Sequence, residues 1–166
     1  YLLNFSLFQS LPDYWGINQE FPIMPITHLD KKPTRSASLW DITCDSDGEL
    51  PFDLKKPLYL HDVNLNKEDY FLGFFNVGAY QDTLGMKHNL FSHPTEVNIV
   101  FENGKVILEK ILESQKLIDI LEDIDYDTNE IKSILSKNLS KEIYEVLEKY
   151  LNENSYLKTI WSYYDE

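Results

Sequence analysis

The sequence predicts a mainly β module over residues 1–112 followed by a small α-helical appendage over 113–166, an α+β chain overall. Three observations carry that reading. Eleven Tyr, nine Phe and three Trp favour a β-rich portion. Asn103-Gly104 lies between the β-forming runs Val97–Phe101 and Val106–Leu108, the strongest hairpin signal in the chain. After Ile111 the apolar residues change from strand-like alternation to helical spacing.

Taken in order, Leu3, Phe5 and Leu7 alternate with Asn4 and Ser6, a strand pattern that Leu11-Pro12-Asp13 interrupts and Tyr14–Ile17 resumes. Phe21–Ile26 is extended by its prolines but lacks the donors of a central strand. Asp30–Ser36 reads as a polar linker and Ala37–Cys44 as the next strand. Leu50–Asp69 reads as loop around one strand at Leu58–His61, and Tyr70–Tyr80 as a β-rich run. Gln81–Asn89 is loop or short helix. Three helices follow. The first runs through Leu117, Leu121 and Ile124 behind Ser114 as N-cap, the second opens at Asp127-Thr128-Asn129-Glu130, and Ser140 caps the third. Tyr156–Tyr164 is an aromatic end that needs a surface to pack on.

At 166 residues and 43% hydrophobic, the chain suits one domain with an appendage. The net charge of −13 argues against nucleic-acid or anionic-membrane surfaces. The acidity is spread along the chain, and it suits solubility or a cationic substrate. One cysteine cannot form an internal disulfide, and no long apolar run or secretory segment is present, so a reducing cytoplasm is expected. The chain opens without Met inside an apolar pattern, which reads as a cut through a larger protein.

The stretch with chemistry is Asp41-Ile42-Thr43-Cys44-Asp45-Ser46-Asp47-Gly48. Its acids are poor core material, because burying unpaired charge is costly. Ile42 and Cys44 alternate with polar residues as in a half-buried strand, so the expected geometry is a strand end presenting Cys44 and Asp45, with Asp47-Gly48 as the turn. Flanking carboxylates favour the protonated thiol, hence an acid over a nucleophile. The competing reading of Cys44 is a small buried hydrophobe. Asp45 and Asp47 suit a guanidinium, or else form a solvated turn. Tyr80 offers a hydroxyl to a phosphate, or else packs in a core. His28, His61, His88 and His93 lack metal-ligand spacing, and no phosphate-cradling or nucleophile-elbow motif is present.

Four ordered stretches over residues 4–91 resemble a known family: Asn4–Asp13 with Trp15, Asp41–Gly48, Gly73–Gln81, and His88-Asn89-Leu90-Phe91. They look like the C-terminal part of biosynthetic arginine decarboxylase, of the alanine-racemase-like class of pyridoxal-phosphate decarboxylases. The resemblance implies a β-sandwich or barrel-like domain completing the site of an upstream (β/α)₈ barrel, which carries the Schiff-base lysine and is absent from this chain. It also implies a homodimer or larger homo-oligomer with the site shared between subunits. In that setting Cys44 is the acid that protonates the carbanionic carbon, Asp45 and more weakly Asp47 bind the substrate end, and Tyr80 contacts the cofactor phosphate. The implied reaction converts L-arginine to agmatine and carbon dioxide for polyamine synthesis, with pyridoxal 5'-phosphate and Mg2+. The magnesium ligands are not identified. This chain departs from the family in having Ser92 where glycine follows the His-Asn-Leu-Phe run, and in Leu50–Asp69, which matches no pattern of the family. The competing functions are a decarboxylase of the same fold acting on ornithine, diaminopimelate or a polyamine precursor, and a non-catalytic binding module. A thiol nucleophile ranks below both, for want of a base near Cys44.

Overall fold

The computed structural model describes residues 1–50 and 57–156, which form two compact units, 1–89 and 90–166. Within the first, the start of the chain runs beside β3 (Leu39–Trp40) through a parallel bridge between Leu2 and Trp40, and bends at Asn4 and Phe5. Leu3 N–H donates to the Trp40 carbonyl at 2.7 Å and Ile42 N–H to the Phe5 carbonyl at 3.2 Å.

The strand reading then fails. Residues Leu7–Ser10 form α1 and Pro12–Ile17 form α2. Ser6 accepts the Gln9 N–H in its side chain, capping α1. Pro12 enters α2 at its first turn, where a missing N–H costs nothing, and Asn18 closes it in a left-handed conformation at φ 55°. Alternation over so few residues is outweighed by a cap at one end and a proline start at the other.

Strands of the first unit pair two by two among the described residues. They are β1 (Ile23–Pro25) with β6 (Leu72–Phe74), β2 (Arg35–Ala37) with β5 (Leu58–Leu60), and β3 with β4 (Glu49–Leu50), all antiparallel. The expected strand Ala37–Cys44 is therefore shorter and ends at Trp40. Leu7, Leu11, Leu39, Leu50 and Leu60 form the core, and Phe5 meets Phe74 edge to face at 5.3 Å between centroids. His61 is part of this framework: its ring bonds the Tyr70 hydroxyl at 2.8 Å and the Lys31 carbonyl at 3.0 Å. Donation to the carbonyl leaves Nδ1 to accept from Tyr70.

In the second unit β7 (Glu96–Glu102) and β8 (Lys105–Leu112) form the hairpin, with Asn103 at φ 51° and Gly104 at φ 75°. Two successive left-handed residues are what a two-residue turn demands. Helices α4 (Leu117–Asp123), α5 (Thr128–Asn138) and α6 (Lys141–Leu151) follow and pack pairwise. Lys116, not Ser114, is the N-cap of α4, because the Asp119 carboxylate takes the Lys116 N–H at 3.0 Å. Asp127 and Ser140 cap α5 and α6 as their sequences require. Of the aromatic end only Tyr156 is described. It stacks on Phe91 at 5.6 Å, and residues 157–164 lie outside the described residues. No helix among the described residues is long and apolar enough to cross a membrane.

The first unit also contains a buried acid. Asp41, expected to be too costly to bury, is 3% exposed. Its Oδ2 accepts the Leu7 N–H at 2.8 Å, and its Oδ1 accepts the Thr43 N–H and hydroxyl, both at 2.8 Å. Three donors replace the water it loses. Gly48 lies against it, and a Cβ there would stand 2.1 Å from Oδ1. Replacing Asp41 with Ala strands buried N–H groups and is expected to cost about 1–3 kcal/mol for each one left unpaired. Gly48→Ala is expected to cost about 1–3 kcal/mol through overpacking. Both are measured by denaturant unfolding, and unchanged midpoints would remove Asp41 from the framework.

Candidate active site

Beyond β3 the chain turns through Ile42–Asp45 without strand pairing, passes a 3-10 turn at Ser46–Gly48 and returns as β4. The half-buried strand expected at Ile42 and Cys44 is thus a loop, because the side chain of Asp41 takes the Thr43 N–H and bends the backbone. Cys44 is exposed at the tip of that loop, which excludes the reading of it as a buried hydrophobe within this chain. Asp45 caps the 3-10 turn by accepting the Asp47 N–H at 3.1 Å. Its Oδ2 lies 3.9 Å from His88 Nε2, with 41% of the Asp45 side chain exposed. Asp47 is exposed.

Tyr80 stands apart from this loop in the sense that no hydrogen bond or ring contact joins it to Cys44 or Asp45. It is 58% exposed and precedes α3 (Gln81–Leu84), whose Thr83 and Leu84 N–H groups donate to its carbonyl. Upstream, Asn76 at φ 62° and Gly78 at φ 102° turn the chain, and a Cβ at Gly78 would meet nothing within 4 Å. The magnesium implied by the family resemblance finds no ligand set: among the described residues no group of three or more His, Cys, Asp or Glu is placed to hold a metal.

Two residues of the His88-Asn89-Leu90-Phe91 stretch, to which the sequence reading gave no chemical role, join the site. Met86 N–H donates to the Phe8 carbonyl at 3.2 Å, and the His88 ring lies on Phe8 with centroids 4.5 Å apart. His88 Nε2 is buried without a hydrogen-bond partner and faces Asp45. At 3.9 Å this is an ion-pair distance if the ring is charged, and too long for a hydrogen bond. Asn89 adopts a left-handed conformation (φ 54°, ψ 25°) and turns its amide to Cys44, accepting the Cys44 N–H at 3.4 Å. Asn89 Nδ2 lies 3.6 Å from Cys44 Sγ. The signal in the sequence was the His-Asn pair itself, in a segment rich in turn formers.

Ser92, where the family pattern has glycine, needs no special backbone: the left-handed positions are Asn89 and Leu90. Ser92 is instead buried, with its N–H donating to Ser155 Oγ at 3.0 Å and its carbonyl accepting the Tyr156 hydroxyl. A cavity of about 360 Å³ lies elsewhere in the first unit, between residues 1–5 and Tyr70–Phe74, and none of Cys44, Asp45, Asp47 or Tyr80 lines it.

Comparison with known proteins points first to a class, the biosynthetic amino-acid decarboxylases, although no family model matches the chain. The particular relatives are biosynthetic arginine decarboxylases. That of Phocaeicola vulgatus is 39% identical over 149 residues, 87% of this chain and 24% of its own length. That of Citrifermentans bemidjiense is 42% identical over 86% of this chain and 23% of its own. The crystal structure of the biosynthetic arginine decarboxylase from Campylobacter jejuni superposes with a TM-score of 0.86 at 53% identity, covering 93% of this chain and 28% of that one. The chain is a homologue of a portion of these enzymes and spans about a quarter of the length of the curated relatives it matches.

The left-handed turn separates backbone from side-chain effects at Asn89. Asn89→Ala is expected to lower stability by about 1 kcal/mol, the cost of a Cβ in that region without a local polar side chain. Asn89→Gly is expected to lose less, because glycine adopts the conformation freely. Paired unfolding curves test this, and equal losses would contradict it.

Proposed function

We propose that this chain is the C-terminal portion of a cytoplasmic, pyridoxal-phosphate-dependent arginine decarboxylase that converts L-arginine to agmatine and carbon dioxide for polyamine synthesis. The observation that carries the reading is the presentation of Cys44 beside Asp45 in the exposed loop after β3, in a chain homologous to arginine decarboxylases. Residues 1–112, the strand-bearing part, supply these groups, and the helices of 113–166 form the appendage. The remainder of the site, including the lysine that holds the cofactor, belongs to the barrel of a partner subunit. An exposed thiol and a half-exposed carboxylate suit that arrangement, since each has room to reach a second surface.

When bound, pyridoxal phosphate takes up the electrons released as the bond from carbon to carboxylate breaks. The residues of this chain do the rest of the work assigned here. Asp45, whose side chain is 41% exposed, binds the guanidinium of arginine, with Asp47 at the rim. Tyr80 gives its hydroxyl to the cofactor phosphate. Cys44 returns one proton to the carbon that has lost carbon dioxide. Its S–H bond breaks, a C–H bond forms, and water restores the proton to the sulfur.

The test is carbon dioxide release by the whole protein from arginine, ornithine, lysine and diaminopimelate in parallel. Arginine alone is expected to turn over. Turnover of another amino acid in its place would contradict the guanidinium role, and turnover of none would favour a binding module. Within the site, Asp45→Ala is expected to raise the arginine dissociation constant roughly tenfold to hundredfold, the range for a hydrogen bond to a charged group. Tyr80→Phe is expected to weaken cofactor binding, read as the pyridoxal-phosphate dissociation constant. An unchanged constant in either variant removes that residue from the role.

A further inference from the structure

We infer that Asn89 is a positioning residue for Cys44, built to hold the sulfur both before and after it gives up its proton. The inference rests on the reading of Cys44 as the proton donor and adds the group that keeps it aimed.

The orientation of the Asn89 amide follows from the backbone. The Cys44 N–H can only donate, so the atom 3.4 Å from it must be the carbonyl oxygen, Oδ1. The amide nitrogen is then the atom at 3.6 Å from Sγ, while Oδ1 lies 3.8 Å from the same sulfur. Both are within the reach of hydrogen bonds to sulfur. While the thiol is protonated, its S–H donates to Oδ1. Once the proton has moved to the substrate carbon, the sulfur is left as an acceptor facing the Nδ2 hydrogens. One side chain therefore serves both states without moving.

Residue type and backbone together suit asparagine. The position needs φ near 54°, a conformation that glycine and, among residues with a side chain, chiefly Asn, Asp and His adopt. Glycine has no side chain to offer. An aspartate would give two acceptors and no donor, and would set a negative charge against the thiolate. Asparagine combines the turn with a short amide whose donor and acceptor both face the same sulfur. The turn is itself anchored at its base, through Met86 N–H on the Phe8 carbonyl and the His88 ring on Phe8, so the amide is carried on a fixed support.

The test uses the whole protein and three variants, Asn89→Gly, Asn89→Asp and Cys44→Ala, with the double variant Asn89→Gly/Cys44→Ala. Asn89→Gly keeps the left-handed backbone and removes only the amide. It is expected to lower kcat by about tenfold or more, part of the roughly 10²–10⁴ that a positioned proton donor supplies, with the arginine KM unchanged. Asn89→Asp is expected to fall similarly. In the Cys44→Ala background, Asn89→Gly is expected to cause no further loss, because both changes act through one proton transfer. A readout independent of turnover is the S–H stretching band of Cys44, isolated as the difference between the parent and Cys44→Ala by Raman spectroscopy. Loss of the acceptor is expected to move that band to higher wavenumber in Asn89→Gly. An unmoved band, an undiminished kcat, or an equal fold loss with and without Cys44 would overturn the inference. Full activity in Cys44→Ala would instead overturn the proton-donor reading and the catalytic meaning of Asn89 with it, a result distinct from failure at Asn89 alone.

Discussion

The buried carboxylate of Asp41 is the constraint on which the first unit depends. It ties the first N–H of α1 to the loop after β3, through bonds of 2.8 Å to Leu7 and Thr43. Such charge-assisted bonds are stronger than neutral ones, and an acid held this way resists the desolvation that would otherwise expel it. Gly48 is the matching void, and its carbonyl takes the Asp41 N–H at 2.9 Å. Both ends of the loop 41–48 are thereby fixed on one residue. Cys44 and Asp45 lie between those ends, so the exposed thiol is presented by a clamped loop.

A second support reaches the same loop from the other side. Residues 80–89 return along α1, with Met86 on Phe8 and the His88 ring packed at a tilt against the same ring, and deliver Asn89 to Cys44. Phe8 and Leu7 are neighbours in α1, so one helical turn serves both supports: Leu7 meets Asp41 through its N–H, and Phe8 meets the 86–88 segment through its carbonyl and ring. Packing of α1 in the leucine core is in this way coupled to the placement of the thiol. A chemistry-bearing residue on a loop held by a rigid scaffold is the ordinary arrangement of catalytic sites.

Local signals explain what could be read from sequence. The Asn103-Gly104 hairpin and the Asp127 and Ser140 caps each rest on a few adjacent residues whose chemistry admits one conformation, whereas the exposure of Cys44 stood beside a buried alternative that local residues did not exclude. The chain's identity as a homologue of arginine decarboxylases was legible too, from four ordered stretches. The failures share a different cause. Leu7 and Tyr14–Ile17 continued an alternating pattern into what proved helical, because the deciding residues, Ser6 and Pro12, act on helix starts and not on periodicity. Asp41 looked unburiable because its three donors come from Leu7 and Thr43, and the Leu7 N–H is 34 positions away. His88 and Asn89 looked like loop because their partners, Phe8, Asp45 and Cys44, are brought to them only by the fold.

The central claim is that this chain supplies the proton that completes decarboxylation. It is tested most directly by the ratio of agmatine to carbon dioxide in a single turnover of the whole protein carrying Cys44→Ala. The account predicts that carbon dioxide is still released, while agmatine forms more slowly and in lower yield, because the carbon that lost carboxylate waits for a proton from elsewhere. Equal yields of the two products at the parent rate would contradict it.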